Sequence, residues 1–561
     1  MENKCSYVQK IFKLLIIYKL DLICIIPCLV ITTVATFIQP LVIREITDNG
    51  MINKNFQCIL FYSCILLLSY IVAQAFNFFQ TKIFIKIHKK VAHTLYQNTF
   101  EKLCHLPIEY FYDKNSAEIV NTIFTDIDGV SSVSDRFMSL SLISLFQVIS
   151  GIFGLAIIDW RITCFILLAI PLKYFVIVLF SRKKSSYMKG FIENNQKFYS
   201  WLSDHINGIR EIKLLNLLGI KAKEFRKVQE TLLFSYEQNT LLDQCQSIIE
   251  IITDIIVSCI LYIACGYLIV IGEFTIGGAL AFMTYSNYVL SPISLIINIR
   301  YYLARIKPSS VRIFQFLDLK EEGFSKNLKC KRQEGDFNKN SKDEIPILEF
   351  FNVGFSYSNN KKLLKNISFK IYSGEKIAIV GNNGSGKTTI INLILGFYNP
   401  ITGFIKFKGK RIDEMELEEL RAHFSTVCQE PYLFYETIEN NINIMKESNY
   451  AEVKRACKES GADDFIQSLP LGYKQKVGMD ATKLSGGEKQ KVAVARALLK
   501  EAEIYIFDEA TAGYDIKSNI DLYKNVQENF KNKTAIFITH RYEELENVDR
   551  IIRLEDGKII D

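Results

Sequence analysis

Six stretches of the chain run for about 20 residues or more with almost no charge, and nothing else in the sequence restricts the fold as strongly. Lipid hydrocarbon offers backbone amides and carbonyls no hydrogen-bond partner, so a segment entering it must satisfy those groups within itself, as a helix. The segments are residues 22–43, 55–81, 137–158, 160–181, 248–272 and 274–299. The first three carry no charged side chain, the fourth has Lys173 near its middle, and the last two are parted by a short junction at Glu273. They predict an α-helical six-span transmembrane domain over residues 1–315. Lysines precede the first segment, as they would in a secretory signal. The apolar run is long and lacks a small-residue cleavage site, so it reads as an uncleaved span.

Orientation follows from the cations, because basic loops stay in the cytosol. Residues 81–136 hold seven Lys or Arg and residues 181–247 hold eleven, whereas the Asp159, Trp160, Arg161 junction holds one and the Glu273 junction none. Both termini are expected to be cytosolic, in a multi-pass protein of the cell membrane. The net charge of +7 then reflects topology rather than a nucleic-acid surface. Thirteen cysteines without a CxxC pair, many inside apolar runs, read as small apolar filler rather than a disulfide framework or zinc site. Both basic stretches are longer than a loop needs and carry helical spacing, as at Leu202, Ile206, Ile209 and Ile212, so the helices should continue beyond the membrane. Lys173, two residues after Pro171, has two open readings. It lines a cargo pathway for anionic molecules, or it pairs with Glu250 or Asp254.

Beyond a Lys-, Glu- and Asn-rich linker at 316–344, residues 345–561 alternate short apolar runs with Gly and charge, as an α/β P-loop NTPase domain does. A β-branched strand at 377–380 leads into Gly381, Asn382, Asn383, Gly384, Ser385, Gly386, Lys387, Thr388 and Thr389, a P-loop in its expected context. Its amides can close around the phosphates of ATP, Lys387 can reach the β and γ phosphates, and the Thr388 hydroxyl can ligate Mg²⁺. A second strand, 504–507, delivers Asp508 toward Mg²⁺ and Glu509 toward the attacking water.

Between those strands lie Leu484, Ser485, Gly486, Gly487, Glu488, Lys489 and Gln490. Ser-Gly-Gly alone would read as a turn. Placed between a P-loop and a carboxylate strand, it resembles the signature of ATP-binding cassette (ABC) proteins. That resemblance implies that Ser485, Gly486 and Gly487 bind the γ-phosphate of ATP held by another copy. It also implies that Tyr357 stacks on adenine, that Gln429 contacts Mg²⁺ and faces the membrane domain, that Asp515 belongs to a loop crossing the dimer interface, and that His540 is the γ-phosphate switch. Around residues 110–126, the Asp159-Trp160 junction, Pro171 and the 272–277 junction, the membrane half resembles the type I exporter fold, also called type IV. Short docking helices are then expected near Asn115 and His205.

Several positions depart from the family pattern. Glu488 replaces Gln, Ala512, Gly513 and Tyr514 replace Ser-Ala-Leu, and Met479 stands where exporters carry Glu, with Asp480 a substitute. No C-terminal helix is expected after Asp561, and no leader-peptidase domain before the first span. The implied unit is a dimer, of two copies or of one copy with a related half-transporter, in contact with membrane lipid and not nucleic acid. The expected function is ATP-driven export of a peptide, lipid or amphipathic small molecule. Lipid flipping and ATP-dependent sensing or immunity are the alternatives.

Overall fold

The computed structural model describes residues 18–112, 116–132, 136–323, 345–357, 363–445, 448–478, 483–509, 533–539 and 548–560. Two compact units divide the chain, Met1–Glu321 and Glu322–Asp561.

The first unit is helical. Its main helices are α1 (Lys19–Glu45), α2 (Phe56–Cys104), α3 (Ser116–Ser131), α4 (Arg136–Ile158), α5 (Trp160–Asn207), α6 (Leu218–Ile271) and α7 (Ile276–Leu317). Local chemistry sets their ends. Asn55 caps α2 by accepting from Cys58 N, Asp159 caps α5 by accepting from Arg161 N and Ile162 N, and Thr275 caps α7 by accepting from Gly278 N. Gly272, at φ +85°, adopts the left-handed conformation that stops α6. The carboxylate of Asp48, in the π-helical turn Ile46–Ile52 after α1, accepts from Gly277 N at 2.8 Å. Asp48 thus serves a second amide at the start of α7.

Five helices among the described residues are long and apolar enough to cross a membrane: Lys19–Ile52, Phe56–Cys104, Ser141–Ile158, Trp160–Phe180 and Leu218–Ile271. Six were expected, and the sixth segment lies on α7. Along it, Thr284, Tyr285, Ser286, Asn287 and Tyr288 place polar groups among the apolar residues. Two of these side chains are spent on α1: Tyr285 donates to Phe37 O at 2.5 Å and Tyr288 to Gln39 Oε1 at 3.3 Å. Close approach of α4 and α7 allows the tyrosines this place, since a Cβ on Gly154 would sit 2.5 Å from the Tyr285 ring.

At 49, 48 and 54 residues, α2, α5 and α6 far exceed the roughly 20 residues that hydrocarbon requires. The helices therefore do continue past their apolar spans, through the basic stretches. The short helix expected near His205 lies just beyond it, at Ile209–Leu214. His205 itself is in the last turn of α5, stacked on Trp201 at 3.7 Å. Asn115 lies outside the described residues.

Lys173 resolves onto the pairing reading. Its ammonium donates to both carboxylate oxygens of Asp254, at 2.7 and 2.9 Å, and to Leu290 O at 2.8 Å, joining α5, α6 and α7. Lys184 pairs with Asp243 at 2.6 Å. Eleven residues separate the two lysines, and eleven the two aspartates. Because 11 residues make about three helical turns, both rungs fall on one seam of an antiparallel pair. The same seam continues through Phe191 against Tyr236 and Asn194 donating to Ser235 at 2.6 Å.

The second unit holds two sheets. One is antiparallel, in the order β2-β1-β4-β5: β1 Leu348–Phe355, β2 Leu364–Ile371, β4 Thr402–Phe407 and β5 Lys410–Arg411. The other has the order β10-β9-β3-β8-β7-β6: β3 Lys376–Gly381, β6 Phe424–Val427, β7 Ile504–Asp508, β8 Thr534–Ile538, β9 Arg550–Glu555 and β10 Lys558–Ile560. Within it β9, β3, β8, β7 and β6 run parallel. Every residue of β7 and β8 is buried, as the continuous apolar runs require when both faces are covered. The helices that matter below are α8 (Lys387–Ile394), α9 (Tyr450–Glu459) and α10 (Gly486–Leu499).

Removing one member of a buried ion pair strands the other. Lys173 is 1% exposed, while the Asp254 side chain keeps 37% of its surface. Asp254→Ala should therefore destabilise the membrane unit by about 3 kcal/mol, near the lower end for buried pairs. The double variant Lys173→Met/Asp254→Leu should recover most of that loss. Thermal unfolding of the purified protein in detergent checks both outcomes, and a Lys173 lining a cargo path instead would leave the single variant's melting unchanged.

Candidate functional site

Parallel strands present their carboxyl ends to one edge of the sheet, and three of those ends, β3, β6 and β7, carry polar residues singled out from the sequence. From β3 the chain turns through residues 381–386 into α8. Gly384 and Gly386 hold φ of +79° and +106°, values that side chains resist. A Cβ on Gly386 would also lie 2.6 Å from Leu364 Cδ2, and one on Gly381 would strike Leu554 O. Lys387 is 7% exposed and donates to Gly381 O at 2.7 Å and Asn382 O at 3.1 Å, so its ammonium lies across the mouth of the loop. Asn382, Asn383, Gly384 and Thr388 are exposed. Ser385 is buried, and its Oγ has no hydrogen-bond partner among the described residues. An orphaned hydroxyl beside an ammonium and a nest of amides fits a phosphate chain.

At the end of β7, Asp508 is 8% exposed and shares a side-chain hydrogen bond with Thr388. Burial, with the neighbouring Glu509 charge, pushes its carboxyl above the ordinary range, against the pull of Thr388 and Lys387. Glu509 follows at φ +45°, a strained value for a residue with a side chain, held by its amide donating to Ile538 O at 2.9 Å. Its Oε2 accepts from Gln429 Nε2 at 2.7 Å. Gln429 lies two residues past β6, so β6 and β7, adjacent in the sheet, bring the two together. Hydroxyl, carboxylate and amide oxygens form a hard-oxygen set that suits Mg²⁺, which takes one or two protein oxygens and completes its shell with phosphate and water.

Tyr357, past the end of β1, is 54% exposed, packs edge-on against Phe355 and Tyr398, and its hydroxyl lies 3.0 Å from Thr389 Oγ1. An exposed ring is thereby fixed beside the P-loop helix. Ser485 caps α10, and Gly486 and Gly487 open it. Asp515 and His540 lie outside the described residues, as do Met479, Asp480 and Ala512 to Tyr514.

Three contacts went unread in the sequence. Ser485 and Glu488 form a capping box: Glu488 N donates to Ser485 Oγ at 3.3 Å, and Glu488 Oε2 accepts from Ser485 N at 2.7 Å. A Ser followed three residues later by Glu was the available signal. Gln490, one turn into the same helix, donates to Gln429 O at 3.2 Å. Arg496 spans from α10 to Asn441 O and Tyr432 O, at 2.8 and 3.1 Å. Neither long-range bond has a local pattern.

Comparison with known proteins agrees with this geometry. The family model described as ABC transporter transmembrane region matches residues 22–293, and the ABC transporter model matches residues 364–512. An ATP-dependent lipid A-core flippase of Syntrophus aciditrophicus (strain SB) is 26% identical over 541 residues, covering 95% of this chain and 87% of that protein. A probable multidrug resistance ABC transporter ATP-binding/permease protein, YheH of Bacillus subtilis (strain 168), is 28% identical over 484 residues, covering 84% of this chain and 69% of that protein. The solved structure of a bacterial Atm1-family ABC exporter with ATP bound shares the fold, with a TM-score of 0.82 at 22% identity, over 97% of this chain and 94% of that one. With a transmembrane region and an ATP-binding cassette on one polypeptide, the chain belongs to the ABC transporters, as a fused half-transporter whose ATPase drives export across a membrane.

Proposed function

We propose that two copies of this chain, or one copy with a related half-transporter, enclose ATP between their cassettes and export an amphipathic cargo by alternating access. The observation that carries the reading is the convergence of Lys387 and Thr388, Gln429, and Asp508 and Glu509 at the ends of three strands of one sheet. ATP lies with its phosphates along the amides of residues 381–389 and its adenine against Tyr357. Lys387 exchanges its loop carbonyls for the β and γ phosphates. Thr388, Asp508 and Gln429 hold Mg²⁺, which neutralises the phosphate oxygens when bound. A buried carboxylate such as Asp508 gains most from a nearby cation. Glu509, steadied by Gln429, orients and deprotonates the attacking water. Asp515 and His540 complete this site by their sequence positions.

The signature supplies the reason for two copies. Ser485, Gly486 and Gly487 open a 14-residue helix, whose first amides carry partial positive charge suited to a γ-phosphate from the partner. In this chain the Glu488 carboxylate occupies the same helix end. It stabilises the helix but repels an incoming phosphate.

For orientation, the cation bias of residues 81–136 and 181–247 favours cytosolic termini and cassettes. For cargo, the name of the Syntrophus relative favours a lipid or another amphipathic molecule over a peptide, and it favours leaflet exchange as the second reading. Proteoliposomes separate the two: accumulation of labelled cargo in the lumen marks export, and loss of leaflet asymmetry marks flipping. Neither occurring with ATP present would overturn both.

Glu509→Gln should retain ATP binding yet lower turnover by about 10²- to 10⁴-fold, the usual contribution of a general base. Steady-state ATPase assays on protein shown to bind nucleotide test it, and turnover at the parent rate would falsify the role. Glu488→Gln removes the opposing charge while leaving Ser485 Oγ as the helix cap. It should raise apparent ATP affinity about two- to fivefold, and a weaker affinity would show that the carboxylate aids binding.

A further inference from the structure

Where α2 leaves its uncharged span, one face alternates apolar and basic side chains. Phe78, Lys82, Ile85 and Lys89 fall within a narrow arc, because steps of four, three and four residues nearly complete whole helical turns. Phe78 and Ile85 are 67% and 54% exposed, and Lys82 and Lys89 are exposed as well. Phe79 and Lys86 flank them on the same side, both exposed. The opposite face of the helix, with Phe84, Ile87 and Val91, is buried in the core of the unit.

Charge on this face is not balanced. Asp21, in the first turn of α1, accepts from Lys86 at 3.0 Å and from Lys90 at 2.7 Å, so one carboxylate serves two ammonium groups. Lys82 and Lys89 have no carboxylate partner among the described residues. Lys19, at the start of α1, is exposed and adds a further cation. Surplus positive charge therefore sits on the same stripe as aromatic and aliphatic side chains that stay dry only under hydrocarbon. Lysine stems can lie along such a surface while their heads stay at the polar boundary.

We propose that this stripe seats an anionic phospholipid, its headgroup phosphate against Lys82 and Lys89 and an acyl chain along Phe78 and Ile85. A free phosphate satisfies the lysines and leaves the apolar positions bare. A neutral lipid covers the apolar positions and leaves the lysines unbalanced. Only a ligand with both parts meets the whole stripe, and basic clusters beside membrane spans attract anionic headgroups on general grounds. This lipid is a bound neighbour of α2 rather than cargo, so the site stands whichever molecule the protein transports.

The test mixes full-length protein in detergent with phosphatidylglycerol or phosphatidylcholine and reads bound lipid by native mass spectrometry. The parent protein should retain phosphatidylglycerol preferentially. Lys82→Gln/Lys89→Gln should weaken that binding about fivefold for each lysine removed, whereas Lys82→Arg/Lys89→Arg should preserve it. Phe78→Ser/Ile85→Ser should weaken phosphatidylglycerol binding too, and all these side chains point away from the packed core, so the fold survives the changes. Equal retention of the two lipids by the parent, or an unchanged affinity in the glutamine pair, overturns the site. Inorganic phosphate displacing phosphatidylglycerol at equal concentration would assign the lysines to a free anion and overturn it as well.

Discussion

Everything in the membrane unit follows from the refusal of hydrocarbon to hydrogen-bond the backbone. Once a segment enters lipid it must be helical, and in α2, α5 and α6 the helix does not stop where the apolar residues stop. A continuous helix of 54 residues, such as α6, is about 80 Å long at its ordinary rise. Such an element transmits a displacement at one end to the other with little loss, provided its neighbours keep register. The lysine and aspartate rungs between α5 and α6 supply that register, and the Lys173–Asp254 rung does so within the apolar span, where an unpaired charge is costly.

The cassette solves a different problem with the opposite economy. The inner strands β7 and β8 of its sheet are buried on both faces, so the chemistry appears at strand ends, and five parallel strands send those ends to the same edge. Glycines with positive φ let the first loop turn tightly, and Glu509 takes a positive φ of its own where a carboxylate must be aimed. The hydrogen bond from Gln429 holds that carboxylate from the neighbouring strand end.

Much of this was legible in the sequence because the signals are local. A run of uncharged residues announces a span, and a β-branched strand followed by the loop from Gly381 to Thr388 announces a phosphate site. What escaped depends on partners distant in the chain. Lys173 could be read two ways because Asp254 is 81 residues away, and only packing chooses it over Glu250, which instead accepts from Gln246 at 2.7 Å. The bond from Gln490 to Gln429 joins a helix to a loop and leaves no periodic trace. Glu488 looked like a departure when compared with a family pattern, although its spacing from Ser485 already spelled a helix cap. The tyrosines of the sixth segment escaped for a related reason: they are polar by type, yet Tyr285 and Tyr288 donate to α1.

The start of α7 ties distant parts of the unit together. In its first turn the amide of Gly277 is held by Asp48, a residue from the connection between α1 and α2. There is no room for a side chain at Gly277, since a Cβ would lie 2.6 Å from Arg44 O. A helix fastened in this way is not free to spin about its own axis. Any rotation of α7 must either drag the α1–α2 corner with it or give up the contact, which makes that corner a swivel stop for the last membrane helix.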